Sequence, residues 1–448
     1  MEPSASATIA HGHFDSSGMF KQEESVTPAW PEATARPLWE RRSFQLFLLA
    51  VAALVSDYGR NAVGPLQETL RYALGLSDNQ VALLQGTALA LPQVVAAVPL
   101  GLLVDRSRRG RLLWVFAVVN LLGSILTAMA SSFTVLFGAR CLIGLAVTAT
   151  GPAAYSLIGD LYPAAQRGRA TMVYNVGACA GMSAVFAIGG VLATDAAPGV
   201  AGWRSAMLWL TSPLVIAVLL MLGMREPTRA GRIVENPSMR QAWAELWSYR
   251  TLFGLLMTGW VMIQIGDIAA VVWTAPSMSR GMGLSPARVG EVVGTALFLS
   301  GVLGPVGGGL LADWSQRTGG PGRTMAMLVW LALLSILVSA FPVCTDANVV
   351  RILLLLFIMI GTAISTVSLT LTIIVIPNEL RGLCVALYTV TGAIGMGVAP
   401  LAVSLLSSEL GGPAMIGKAL TVVGAITAVL AAGAFALGKR YLNGHVVA

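Results

Sequence analysis

The stretch Pro99–Trp114 reads PLGLLVDRSRRGRLLW. Asp105, Arg106, Arg108, Arg109 and Arg111 crowd together there between two long apolar runs, in a chain of which only 11% is charged. The pattern returns at 308–323 as GGLLADWSQRTGGPGR, so that Gly101, Asp105 and Arg109 recur as Gly309, Asp313 and Arg317 at the same spacing. A second pair repeats as well: Pro163-Ala-Ala-Gln-Arg167-Gly168 is echoed by Pro377-Asn-Glu-Leu-Arg381-Gly382. Two loops that recur in equivalent places mark a duplicated unit.

Composition says what solvent surrounds that unit. The chain has 448 residues, 56% of them hydrophobic, whereas a soluble domain is about a quarter charged. Lipid is therefore the solvent. Spanning the ~30 Å hydrocarbon core takes about 20 apolar residues as a helix. Twelve such runs are present, at roughly 44–67, 80–103, 112–131, 133–158, 169–194, 203–223, 251–275, 286–312, 324–343, 349–376, 382–406 and 415–438. The polar segment 224–250 divides six from six. The expectation is an all-α integral membrane protein of twelve transmembrane helices in two pseudo-symmetric six-helix bundles. Its parts are a disordered tail (1–40), a first bundle (41–223), a linker (224–250), a second bundle (251–440) and a C-tail (441–448).

The net charge of +7 comes from basic residues scattered through short loops. That pattern speaks for membrane orientation and against nucleic acid. Most Lys and Arg fall in the segments on the side of the two termini, which places both termini in the cytoplasm of a plasma or inner membrane. No cleavable signal peptide is expected. Cys141, Cys179, Cys344 and Cys384 show no CxxC or Cys/His clustering, so no metal site or disulfide framework is implied. No P-loop is present. No nucleophile–His–acid set exists either, and His11, His13 and His445 all lie near the ends. The chain reads as a non-enzyme without a cofactor.

On one helix, Gly101, Asp105 and Arg109 would share a face. Glycine lets a neighbouring helix approach, and the charges at the helix end could latch the two halves together on the cytoplasmic side. Gly309, Asp313, Arg317, Arg167 and Arg381 complete the expected gate.

These strings resemble the loop 2–3 signature of the major facilitator superfamily and its second-half echo. GLSDNQVALLQGTALALPQVVAAVPLGLLVDR, PAAYSLIGDLYPAAQRGRA, GWR (202–204), REP (225–227) and VIPNELRG are similar to the Spinster-like branch. The resemblance spans about 44–440. It implies a secondary transporter working by alternating access, with runs 1, 4, 7 and 10 around the cavity.

Ionisable residues inside membrane helices mark function by default. Run 1 carries Asp57, Arg60 and Asn61, run 4 carries Arg140, and run 7 carries Gln264 and Asp267. At 1.5 Å per residue, Asp57 and Asp267 each lie about 20 Å from the cytoplasmic ends of their helices. Asp57 and Arg140 are expected to face one cavity and to couple electrostatically; Tyr155 and Thr366 are further lining candidates. Two departures from the Spinster-like pattern stand out. Tyr58, not Arg, follows Asp57, and Val147 stands seven residues after Arg140, where the branch has Glu. Proton duty then falls on Asp57 or Asp267.

The expected activity is proton-coupled movement of a small anionic or amphiphilic solute, either a lysolipid or an organic acid. An uncoupled facilitator or exchanger, and a lipid scramblase or sensor on the same fold, remain open. The expected partners are a small-molecule or lipid-like substrate, protons and membrane lipids, with no nucleic acid and a monomeric chain.

Overall fold

The computed structural model describes residues 41–195, 200–226, 239–377 and 380–445. Helix is nearly all it contains: α1 Arg42–Asn61, α2 Gln67–Leu74, α3 Asp78–Ala82, α4 Ala88–Arg106, α5 Arg109–Met129, α6 Phe133–Leu161, α7 Ala164–Asp195, α8 Val200–Met221, α9 Met239–Ser248, α10 Arg250–Met282, α11 Pro286–Val338, α12 Ala347–Val375, α13 Arg381–Glu409 and α14 Ile416–His445. The tails 1–40 and 446–448, the linker segment 227–238 and the side chains of Asp105 and Arg381 lie outside the described residues.

Eleven helical spans are long and apolar enough to cross a membrane among the described residues. One of them holds two crossings. The 53 residues of α11 would reach about 80 Å as a straight rod, far more than the ~30 Å core. Gly320 breaks it, with φ 62° and ψ −159°, a conformation that glycine adopts without a Cβ clash. The chain doubles back there and yields the expected twelve crossings.

The first crossing departs from expectation. Instead of one run over 44–67, α1 stops at Asn61 and a 3₁₀ turn, Gly64–Leu66, leads into α2. Pro65 explains the break, since its ring removes an N–H and collides with the carbonyl four residues back. The second crossing is also irregular. A π-turn at Leu83–Thr87 joins α3 to α4, and Pro92 and Pro99 lie inside α4. Two smaller differences concern the expected loops. The linker contains α9, which buries Leu246 while Trp243 and Trp247 stay exposed, and α14 continues to His445, so that 441–445 is helix and not tail.

An even number of crossings puts Arg42 and His445 at one end, here called the termini end. At the opposite, far end the first six crossings meet the last six backbone to backbone. A Cβ on Gly290 would lie 2.3 Å from the Phe186 carbonyl, and one on Gly190 would lie 2.5 Å from that of Pro286. On Gly86 it would lie 2.8 Å from the Met396 carbonyl. Ser183 donates to the Gly294 carbonyl at 2.6 Å. At the termini end the halves stand apart: no residue from 91 to 103 of α4 is buried, and nothing lies within 4 Å of a Cβ on Gly101 or Gly309. The close helix approach expected at Gly101 occurs instead at Gly86, 15 residues earlier and toward the far end of the same crossing.

Candidate functional site

Between the two sets of six crossings lies a cavity of about 380 Å³. Its apolar wall includes Phe186, Met182, Trp260, Ile268, Tyr388 and Met396. Trp260 meets Tyr388 edge to face at 4.7 Å, and the Tyr388 hydroxyl bonds Thr372 Oγ1 at 2.9 Å. The polar wall holds Arg60, Asn61, Gln85, Gln93, Gln264, Asp267 and Thr362. A largely apolar cavity with a few convergent polar groups is the usual form of a ligand site.

Arg60 supplies the cation of this cavity. Its guanidinium pairs with Asp57 one turn earlier, with 31% of the Arg60 side chain and 20% of that of Asp57 exposed. Asn61 Nδ2 donates back to the Asp57 carbonyl at 2.8 Å.

Arg140 was expected in the cavity beside Asp57, but it is fully buried and turned toward backbone. It donates to the carbonyls of Leu84 (3.4 Å), Gly59 (3.4 Å) and Arg60 (2.6 Å), and to Gln85 Oε1 (3.1 Å). The physical reason is the pair of breaks described above. The end of α1 and the π-turn free backbone carbonyls in hydrocarbon, where no water can satisfy them. Arg140 answers both at once, and so binds the first, second and fourth crossings together.

Asp267 has no such attachment. It is 9% exposed and makes no hydrogen bond or ion pair with a described residue. Its carboxylate rests on α12 at Gly361, where a Cβ would lie 2.0 Å from Oδ2. On one side Asp267 meets the central cavity. On the other it meets a void of about 10 Å³ lined also by Ser335, Phe357 and Thr427, about the room one water needs. Nearby, Gln264 accepts a hydrogen bond from Ser365 Oγ at 3.2 Å. Two lining candidates lie elsewhere: Tyr155 is 47% exposed and bonds Asn175, while Thr366 bonds its own α12 carbonyl at Thr362 and packs on Gly308.

The expected gate is not a single unit in this conformation. Ser107 and Arg108 adopt extended backbone between α4 and α5, so Arg109 begins a new helix and does not share a face with Gly101. Its side chain is 4% exposed and is held by Asp160 and by Ser156 at 2.7 Å in the first bundle and by Glu226 at 3.0 Å at the start of the expected linker. Arg167 donates to the carbonyls of Tyr162 and Gly159 and caps the C-terminal end of α6. Asp313 and Arg317 are exposed on α11.

A set of cross-half ion pairs lies at the far end, and sequence reasoning passed over it. Arg280 of α10 donates to Glu68 (2.6 and 3.0 Å), to Asp78 (2.8 and 2.9 Å) and to the Pro413 carbonyl (3.2 Å). Arg71 pairs with Asp78 at 2.9 Å. The available signal was that Glu68 and Asp78 are acidic residues in a segment otherwise expected to face outward.

Known proteins agree with this architecture. The model of the Major Facilitator Superfamily matches residues 49–400. An "MFS-type efflux pump" of Mycolicibacterium smegmatis is 25% identical over 395 residues, covering 84% of this chain and 87% of the relative. A "Triacylglyceride transporter" of Mycolicibacterium hassiacum is 26% identical over 204 residues, covering 45% of this chain and 37% of that protein. Among solved structures, the inward-facing, unoccupied bacterial homologue of the human lysosomal transporter Spinster superposes with a TM-score of 0.73 at 18% identity, over 91% of this chain and 98% of that one. Twelve crossings, a cavity between two sets of six and a family match over most of the chain lead to one conclusion: this chain belongs to the Major Facilitator Superfamily of transporters.

Proposed function

We propose that the protein carries an anionic amphiphile, a lysolipid or an organic acid with an apolar body, by alternating access coupled to protons. The observation that carries this reading is the cavity itself. Arg60 offers a charge-assisted contact to an acidic headgroup, opposite an aromatic and aliphatic wall suited to an apolar body. Contacts at the far end and separation at the termini end fit a state open toward the termini, the cytoplasmic side by the distribution of Lys and Arg. An anionic headgroup at Arg60 competes with Asp57 for one guanidinium, which would link the two by reciprocal coupling. Asp267, a carboxylate without a cation partner between a cavity and a one-water void, is the group best placed to carry the proton.

The test is uptake of a fluorescent lysophospholipid into proteoliposomes with and without an imposed pH gradient. Wild type should respond to the gradient. Asp267→Asn should lose that response while keeping exchange, and Arg60→Gln should weaken binding about 10- to 100-fold. Equal wild-type uptake with and without the gradient would favour the uncoupled facilitator, a reading supported by Val147, which packs with Leu89, Ile143 and Met396 at the position where the Spinster-like pattern has Glu. No uptake of any lysolipid would remove the substrate class.

A further inference from the structure

Away from the central cavity, a cleft of about 420 Å³ opens between the second arm of α11 and α14. Its floor is apolar: Ala326, Val329, Trp330 and Leu333 from α11, and Ala436 from α14. At its mouth stand Lys439 and Arg440, neither of which makes an ion pair or hydrogen bond with a described residue. Trp330 is 72% exposed, and no helix of the described residues covers it.

The register of the two helices gives the cleft a direction. Gly438 abuts Met325, whose Cε would lie 2.6 Å from a Cβ there, so Lys439 is level with the start of the second arm of α11. Trp330 and Leu333 lie about 8 and 12 Å deeper along that arm. The cations therefore sit at the membrane edge, the indole sits in the interfacial zone where tryptophan concentrates, and the aliphatic floor descends into hydrocarbon.

The geometry points to a site for one anionic phospholipid, with its phosphate between Lys439 and Arg440 and an acyl chain along Trp330 and Leu333. At this depth the surrounding medium is lipid, so an acyl chain fills the apolar floor. A free phosphate ion could meet the cations but would leave that floor empty. A zwitterionic headgroup brings its own cation and loses most of the attraction of the two basic side chains. Basic pockets between membrane helices recognise anionic headgroups on this principle. The site is separate from the transport cavity, and its occupancy does not depend on what the transporter carries.

The experiment reconstitutes the full chain in bilayers of equal phosphatidylglycerol and phosphatidylcholine, extracts it gently and counts retained lipids by native mass spectrometry. Wild type should retain one phosphatidylglycerol per chain in preference to phosphatidylcholine. The double variant Lys439→Gln/Arg440→Gln should weaken that retention about 30-fold, as expected for two basic residues beside an anionic surface. Ala436→Trp fills the cleft and keeps both charges, and it too should lose the bound lipid. The thermal midpoint of each variant, measured in phosphatidylcholine alone, shows that it remains folded. Equal retention of the two lipids overturns the site, because the cations would then serve orientation only. Unchanged retention in either variant overturns it as well, as does a dimer formed through this face without lipid.

Discussion

Replacing Arg280 with Ala is expected to open the far end of the transporter. Arg280 of the second half reaches across to Glu68 and Asp78 of the first, and also donates to the Pro413 carbonyl of its own half. The side chains are little exposed: 10% for Arg280, 7% for Asp78 and 21% for Glu68. Removing that guanidinium leaves Glu68 buried without the cation it pairs with and Asp78 with Arg71 alone, at a cost of about 3 kcal/mol. That cost falls only on the state in which the far end is shut. The balance between far-end-closed and far-end-open states should therefore move on the order of a hundredfold toward open. Spin labels at the exposed positions Tyr72 and Ser408, in a background without the native cysteines, report the distance across this end. A longer and broader distribution is expected in Arg280→Ala, with a partial return in Arg280→Lys, which restores the charge but not the fork of donors. An unchanged distribution would mean that the glycine-lined helix contacts alone keep the far end shut.

The second large effect is expected at Arg109. The motif holds four arginines, but Arg106, Arg108 and Arg111 are exposed while Arg109 is buried. Arg109→Ala removes the buried guanidinium that Asp160 and Glu226 share and should destabilise the first half by about 3–5 kcal/mol. Thermal unfolding in detergent should show a clear loss, or the protein should fail to accumulate. Ala at Arg108, one residue away, should change stability by no more than about 0.5 kcal/mol. Similar losses at both positions would mean that the motif acts through its summed charge. Glu226 also accepts from the Gly110 backbone N–H at 2.8 Å, so Glu226→Gln should cost less than Arg109→Ala, because one bond of that kind survives.

Sequence legibility was uneven, and the residues show why. Apolar run length and the repeated charged loops were enough for twelve crossings, because a helix in lipid must satisfy its own backbone over a set length. The hinge at Gly320 was marked by Gly319-Gly320-Pro321. The break after Asn61 is marked by Gly64-Pro65, yet the apolar residues around it give the same run length as an uninterrupted helix. Arg140 shows the consequence. Its spacing along the fourth crossing said only that a cation lay inside the membrane. Once the first crossing breaks and the second takes a π-turn, orphaned carbonyls draw that guanidinium away from the cavity, and Arg60 takes the place Arg140 was expected to hold.

What the sequence determined by itself was what depends on local composition: an integral membrane chain, its crossings, its duplicated motifs, and the short roster of charges that lipid makes costly. What only the tertiary structure decided was which of those charges meet. Arg109 turned inward to Asp160 and not across the halves, Arg280 found Glu68 and Asp78 more than 200 positions away, and Asp267 was left without a partner among the described residues, over Gly361. Electrostatic and hydrogen-bond energies fall off over a few ångströms, and spacing along a single helix carries no information about which neighbouring helix stands within that reach.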